Sequence, residues 1–157
     1  MSPEGSDKEK TMDKPKVLFL CTGNSARSQM AEAFLREYAG NDFEVHSAGL
    51  EPKGQILPEV FAVMKERELD MAGQTPKSVT KYLGNTIFAH TITVCGDAEE
   101  NCPAVFLSMG RHEHWPFEDP AKFQGSDADR LEFTRQVRDQ IDHRVLQWLE
   151  TQNILPA

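Results

Sequence analysis

An α/β fold, a parallel sheet covered by helices on both faces, is what the sequence predicts, and three observations carry it. Short apolar runs alternate with amphipathic stretches from Lys16 onward. The first run, KVLFL at 16–20, is short and apolar on both faces, as expected of a buried parallel strand. No internal repeat or low-complexity linker divides the chain, and 157 residues with 39% hydrophobic content suit one domain with a sizeable core. Strands alternating with helices imply a sheet of flavodoxin-like type.

Each element follows from its own pattern. Residues 1–14, MSPEGSDKEKTMDK, lack apolar periodicity and read as a flexible tail, leaving 15–157 as the domain. After the first strand, Met30, Ala31, Phe34, Leu35 and Tyr38 recur at helical spacing, with Gly40 as a stop. FEVHSAG reads as a second strand. LPEVFAVMKERELD places Val60, Val63, Met64 and Arg67 near one helical face, with Pro58 tolerated in the first turn. KSVTKYLG is a weaker, shorter helix. TIFAHTITVC, rich in β-branched residues, predicts a strand ending at Cys95. DAEENCPAVF suits a short helix that Pro103 interrupts, and RHEHWPFEDP a short strand or loop. The long final helix is capped by Ser126, with Asp127 and Asp129 in its first turn. Leu131, Phe133, Val137, Ile141, Val145, Leu146, Trp148 and Leu149 form its apolar side.

Charge and cysteine content exclude several classes. A formal net charge of -8 repels polyanions, so neither nucleic acid nor an anionic membrane is an expected partner. Any anion handled by this chain must meet local positive potential. Three cysteines cannot all pair within one chain, and no leader or long membrane-spanning run is visible. The expected compartment is the reducing cytoplasm, where cysteines serve chemistry or burial more often than structural bridges.

In a doubly wound sheet, ligands sit beyond the carboxyl ends of the strands, where both Cys21 and Cys95 fall. The turn after the first strand reads Cys21-Thr22-Gly23-Asn24-Ser25-Ala26-Arg27-Ser28. A tight loop between strand and helix points its backbone N–H groups at a common centre, and the helix N-terminus adds positive potential. Residues Thr22 to Arg27 thus form an oxyanion cradle. The Arg27 fork holds two oxygens, and Gly23 allows backbone geometry that a β-carbon hinders. Cys21 lies below the bound central atom, where the N–H field and the Ser28 hydroxyl favour its thiolate. A packed, inert cysteine is the competing reading, and the strand-loop-helix context weighs against it.

The stretch LFLCTGNSARSQMAEAF resembles the phosphate-binding loop of the low-molecular-weight protein tyrosine phosphatase superfamily, and the match extends through HSAG to Asp119-Pro120. It implies a four-stranded parallel sheet and makes Asp119 the acid that protonates the leaving oxygen. Within that superfamily, TVCGDAEENCPAVF and EHWPFEDPA resemble segments of thioredoxin-coupled arsenate reductases. What this resemblance implies is a three-thiol relay: Cys21 attacks arsenate, Cys95 attacks Cys21, and Cys102 then attacks Cys95, with thioredoxin regenerating the enzyme. Glutaredoxin with glutathione is the alternative donor. No tightly bound cofactor is expected, only the external thiol reductant.

A wholly helical segment would separate Cys95 from Cys102 by about 10 Å, beyond the roughly 7 Å Cα limit for a disulfide. The segment must therefore bend or unwind on oxidation, and Gly96 with the polar DAEEN run suits that. The alternative reading is a phosphatase that hydrolyses phosphomonoesters through a Cys21 phospho-enzyme. Against it, Ala26 stands where such phosphatases commonly carry a second cysteine, and Ala121 and Lys122 stand where they often carry tyrosines. A zinc module built from Cys95, Cys102, His112 and His114 is disfavoured by the six-residue gap between the cysteines, and the two histidines read as loop or surface residues. The resemblance also carries a potassium site onto Asn24, Glu32 and Ser47. Its further acidic ligand is missing from QTPKS at 74–78, where Lys77 offers an ammonium in place of the ion.

Overall fold

A computed structural model describes residues 14–157. Apart from Lys14, whose ammonium donates to the Gly40 carbonyl at 3.0 Å, the segment read as a tail lies outside the described residues.

Four parallel strands, β1 (Lys16–Cys21), β2 (Glu44–Gly49), β3 (His90–Thr93) and β4 (Arg111–His114), lie in the order β2-β1-β3-β4. The chain winds outward from β1 first to one side and then to the other, so the strand order reverses between β1 and β3. Cys21 ends β1, and Cys95 follows β3 at the same rim. The β3 strand is shorter than TIFAHTITVC suggests. Ile87 is 76% exposed, so the β-branched residues before His90 lie off the sheet.

Helices α1 (Arg27–Ala39), α2 (Pro58–Lys65), α3 (Gly96–Glu100), α4 (Ala104–Leu107) and α5 (Asp127–Thr151) complete the fold, with single 3-10 turns at Val79–Lys81 and Pro120–Lys122. The KSVTKYLG segment thus forms one 3-10 turn rather than an α-helix. Between α3 and α4 the helical run breaks at Cys102-Pro103, because proline supplies no N–H for a continuing helix.

Register sorts the side chains into two faces. Val45, Val17 and His90 lie in one row, and Ser47, Phe19, Ile92 and Glu113 in the row two residues on. Trp148 of α5 packs edge-on to His90, and Phe19 meets Trp115 with ring centroids 5.6 Å apart. The opposite face carries His46, Leu18, Thr91 and His112, then Ala48, Leu20, Thr93 and His114. There Tyr82, Phe88 and Phe106 cluster, and α3 packs on β3. Val17, Leu18, Phe19 and Leu20 are all fully buried, as a strand covered on both faces requires.

Candidate active site

The loop from Cys21 to Arg27 rims a cavity of about 410 Å³ that Lys53, Cys95, Gly96, Asp97, Asp119, Ala121 and Lys122 also line. Its shape follows from the backbone hydrogen bonds. The carbonyls of Cys21, Thr22, Gly23 and Ser25 accept from the amides of Leu50, Glu51, Lys53 and Leu57 at 2.8–3.0 Å, so they are turned onto the segment after β2. The α1 N-cap, Ala26, makes no side-chain cap, and no acidic residue occupies the first turn. The orphan N–H groups and the helix dipole are therefore left to an anion.

A Cβ on Gly23 would stand 3.0 Å from Lys53 Cγ, the hindrance expected there, and the left-handed residue of the loop is Asn24, at φ 51°. Asn24 pays no isolation penalty there, because its side chain is held on every side. It donates to Ser28 Oγ at 2.8 Å and Ser47 Oγ at 3.0 Å and accepts from the Lys77 amide at 2.8 Å, while Gln29 bonds both its oxygens. The glycine that close approach demands is Gly49, where a Cβ would stand 2.5 Å from the Thr22 carbonyl oxygen.

Cys21 is buried, with Ser28 Oγ 2.9 Å from its Sγ and the Asn24 amide donating to it at 3.1 Å. Burial pushes the Cys21 thiol up, against the downward pull of Ser28, Arg27 and the Asn24 N–H. Arg27 is aimed by the Phe117 carbonyl, to which it donates at 3.0 Å, and by Asp119, 3.3 Å away. Asp119 is both a turn former and a cavity residue: its Oδ1 accepts from the Ala121 amide at 2.9 Å, and its other oxygen faces Arg27.

Cys95 caps α3, accepting from the Ala98 amide at 3.4 Å, and its Sγ lies 3.4 Å from Thr22 Oγ1 in the cradle. Cys21 and Cys95 thus share one cavity. Cys102 does not line it; it lies beyond α3, buried, with its Sγ 3.8 Å from the Pro103 carbonyl. Burial and then the Glu99 charge push its thiol up to about 11. Among the described residues, no aromatic side chain lines the cavity.

The residues expected to hold potassium converge, but on an ammonium. Ser47 donates to Glu32, and Lys77 Nζ lies 3.5 Å from Ser47 Oγ, 3.6 Å from Glu32 Oε1 and 2.9 Å from the Thr75 carbonyl. Arg36 takes the other Glu32 oxygen. With both oxygens engaged and a cation already between its donors, the set does not fit a potassium ion. His112 and His114, read above as loop or surface residues, are instead half-buried residues of β4. Among the described residues, no group of three or more His, Cys, Asp or Glu is placed to hold a metal.

Sequence reasoning missed Lys53, Asp97 and Gln29. Lys53 stands in the loop after β2, at the same strand ends as the cysteines, so the rule that ligands gather at that rim could have found it. Gln29 and the Phe117 carbonyl gave no sequence signal, since both act through tertiary contacts.

Comparison with known proteins agrees with this geometry. Residues 16–154 match the family model described as low molecular weight phosphotyrosine protein phosphatase. An arsenate reductase of Bacillus subtilis is 39% identical over 140 residues, covering 89% of this chain and 99% of the relative. A solved arsenate reductase in its phosphate-binding state superposes with a TM-score of 0.73 at 32% identity, covering 87% of this chain and 98% of the other. A thioredoxin-dependent arsenate reductase of Corynebacterium glutamicum gives a TM-score of 0.67 at 26% identity, covering 93% of this chain and 65% of that one. With its phosphate-type cradle and this match over nearly the whole described chain, the protein belongs to the low molecular weight phosphotyrosine protein phosphatase family.

Proposed function

We propose that this protein reduces arsenate to arsenite with three cysteines in turn. The observation that carries the reading is the second thiol in the cradle: Cys95 stands against Thr22 in the cavity that holds Cys21. A hydrolase has no use for a thiol at that position.

Arsenate, a tetrahedral oxyanion, seats on the amides of residues 22–27 and the Arg27 fork. Sulfur of Cys21 attacks arsenic, and a substrate oxygen takes the thiol proton. An oxyanion on Arg27 competes with Asp119 for the guanidinium, 3.3 Å away. Asp119 then protonates the departing oxygen, which leaves as water. Cys95 attacks Cys21 Sγ, and the electron pair of the broken S–As bond reduces As(V) to As(III). Arsenite leaves, and a Cys21–Cys95 disulfide remains. Cys102 attacks Cys95, Cys21 departs as thiolate, and the Cys95–Cys102 disulfide passes its oxidation to a dithiol. Thioredoxin is the proposed donor, with glutaredoxin and glutathione as the alternative. A reducing cytoplasm suits three free thiols, and no described helix is long and apolar enough to cross a membrane.

Lys77 does the work of the family's cation in this reading, and turnover is independent of potassium. Weak phosphomonoester hydrolysis accompanies reduction, because cradle, nucleophile and acid are all present, while the non-aromatic walls give a phosphotyrosine ring nothing to stack on. Arsenate-dependent NADPH oxidation through thioredoxin and its reductase, with p-nitrophenyl phosphate hydrolysis alongside, tests the assignment. Cys21→Ser loses both activities, and Cys102→Ser loses multiple turnover while keeping hydrolysis. Fast hydrolysis without arsenate turnover overturns it in favour of a phosphatase.

A further inference from the structure

The segment between the two redox cysteines is held almost entirely by polar ties. Helix α3 has five residues and buries Ala98 alone against the sheet, so length and apolar contact contribute little to keeping it folded. One tie is the Thr22 hydroxyl, which donates to Asp97 Oδ2 at 3.0 Å. The other is more elaborate. Glu99 Oε1 accepts from Thr93 Oγ1 at 2.7 Å and lies 2.7 Å from His112 Nε2, with His114 Nδ1 at 3.8 Å.

This convergence is a product of register. Thr93 pairs with His114 across β3 and β4, and His112 lies two residues earlier on the same strand, so all three project from one face. An ionised carboxylate only accepts, so His112 carries its proton on Nε2, facing Glu99. Thr93, having spent its hydroxyl proton on Glu99, accepts from His114 Nδ1 at 2.9 Å. The result is a donor chain from two strands that ends on one oxygen of the redox helix. Its partners hold the Glu99 carboxyl below its ordinary value, Thr93 first.

We propose that Glu99 is a positioning residue for the second thiol exchange, a latch whose grip by Thr93, His112 and His114 keeps the Cys95–Cys102 segment folded and Cys102 out of play until Cys95 is oxidised. Formation of the Cys21–Cys95 bond draws Cys95 toward the cradle and removes the cap that its Sγ gives to the Ala98 amide. The helix then loses its first turn, Glu99 leaves the β3–β4 face, and Cys102 loses both its cover and its negative neighbour. Its proton passes to water, the thiolate attacks Cys95 Sγ, the Cys95–Cys102 bond forms and the Cys21–Cys95 bond breaks. This inference rests on the proposed relay for its purpose, but the latch itself is read without arsenate or thioredoxin.

The test uses the full-length reduced protein, with iodoacetamide alkylation at about pH 8 mapped to each cysteine by mass spectrometry. Glu99→Gln accelerates modification of Cys102 about tenfold and leaves Cys21 within about twofold of wild type, since the lost contacts are charge-assisted hydrogen bonds confined to the segment. Equilibration with dithiothreitol shifts the Cys95–Cys102 disulfide about tenfold toward the oxidised form, because the reduced state alone loses its latch. His112→Gln gives the same directions to a smaller extent and serves if Glu99→Gln does not fold. Unchanged Cys102 reactivity and an unchanged disulfide equilibrium overturn the proposal, as does equal acceleration of all three thiols. Absence of arsenate turnover with selective acceleration of Cys102 would refute the reductase reading while leaving the latch standing.

Discussion

An ammonium on its own side chain differs from a bound ion in a measurable way: its presence does not depend on which salt is dissolved. Lys77 reaches Glu32, Ser47 and the Thr75 carbonyl from behind Asn24, and Asn24 sets the floor of the cradle. Turnover by the wild type is therefore the same in potassium and sodium chloride at equal ionic strength. Lys77→Asp removes the ammonium and supplies a carboxylate, so potassium raises both its rate and its melting temperature severalfold more than sodium does. A many-fold potassium response of the wild type would show the substitution idea wrong. The sequence made Cys21, Arg27 and Asp119 legible because each stands at a fixed offset in a strand-loop-helix unit or beside a proline. It gave no sign of the left-handed Asn24, since what allows that conformation is a set of partners, Gln29, Ser47 and Lys77, that only the folded chain assembles.

Elements meet their unpaired ends through one another. Arg138 of α5 is 6% exposed and donates at 2.8 Å to the Val63 carbonyl, one of the last of α2, and at 2.7 Å to Glu66. It caps a helix that lacks its own glycine stop. Arg138→Leu keeps the packing stem but leaves that carbonyl unpaired, costing about 2 kcal/mol. Chemical denaturation reads the loss, and because neither Val63, Glu66 nor Arg138 lines the cavity, kcat stays within about twofold. A kcat that collapses with unchanged stability would contradict this. Strong apolar periodicity made α1 and α5 readable. Weaker signals failed where context decides: β-branched residues before His90 suggested strand, yet the pairing with β1 begins at His90.

At the scale of the whole molecule, both chain ends of the pH range act through groups that the fold has moved. Glu44, Glu66 and Glu99 are all held below their ordinary value of 4.5, Glu66 at about 2 through Arg135 and Arg138. Their contribution is present above about 4.5 and is lost as pH falls through the folded values. The alkaline side has the opposite sign. Both tyrosines of the chain, Tyr38 and Tyr82, are pushed from 10.0 to about 12, chiefly by burial, with Asp142 adding to the effect at Tyr38. A raised value favours the protonated form in the fold, so this stabilisation is complete below pH 10.0 and vanishes as pH rises through about 12. Ultraviolet titration of tyrosinate therefore shows no rise near pH 10.0, and the signal appears at higher pH together with loss of the near-ultraviolet dichroism. In denaturant the same two residues titrate normally. An ordinary titration of the folded protein would mean that Tyr38 is not held against Asp142 and that Tyr82 is not packed against Phe88, removing one seam on each face of the sheet.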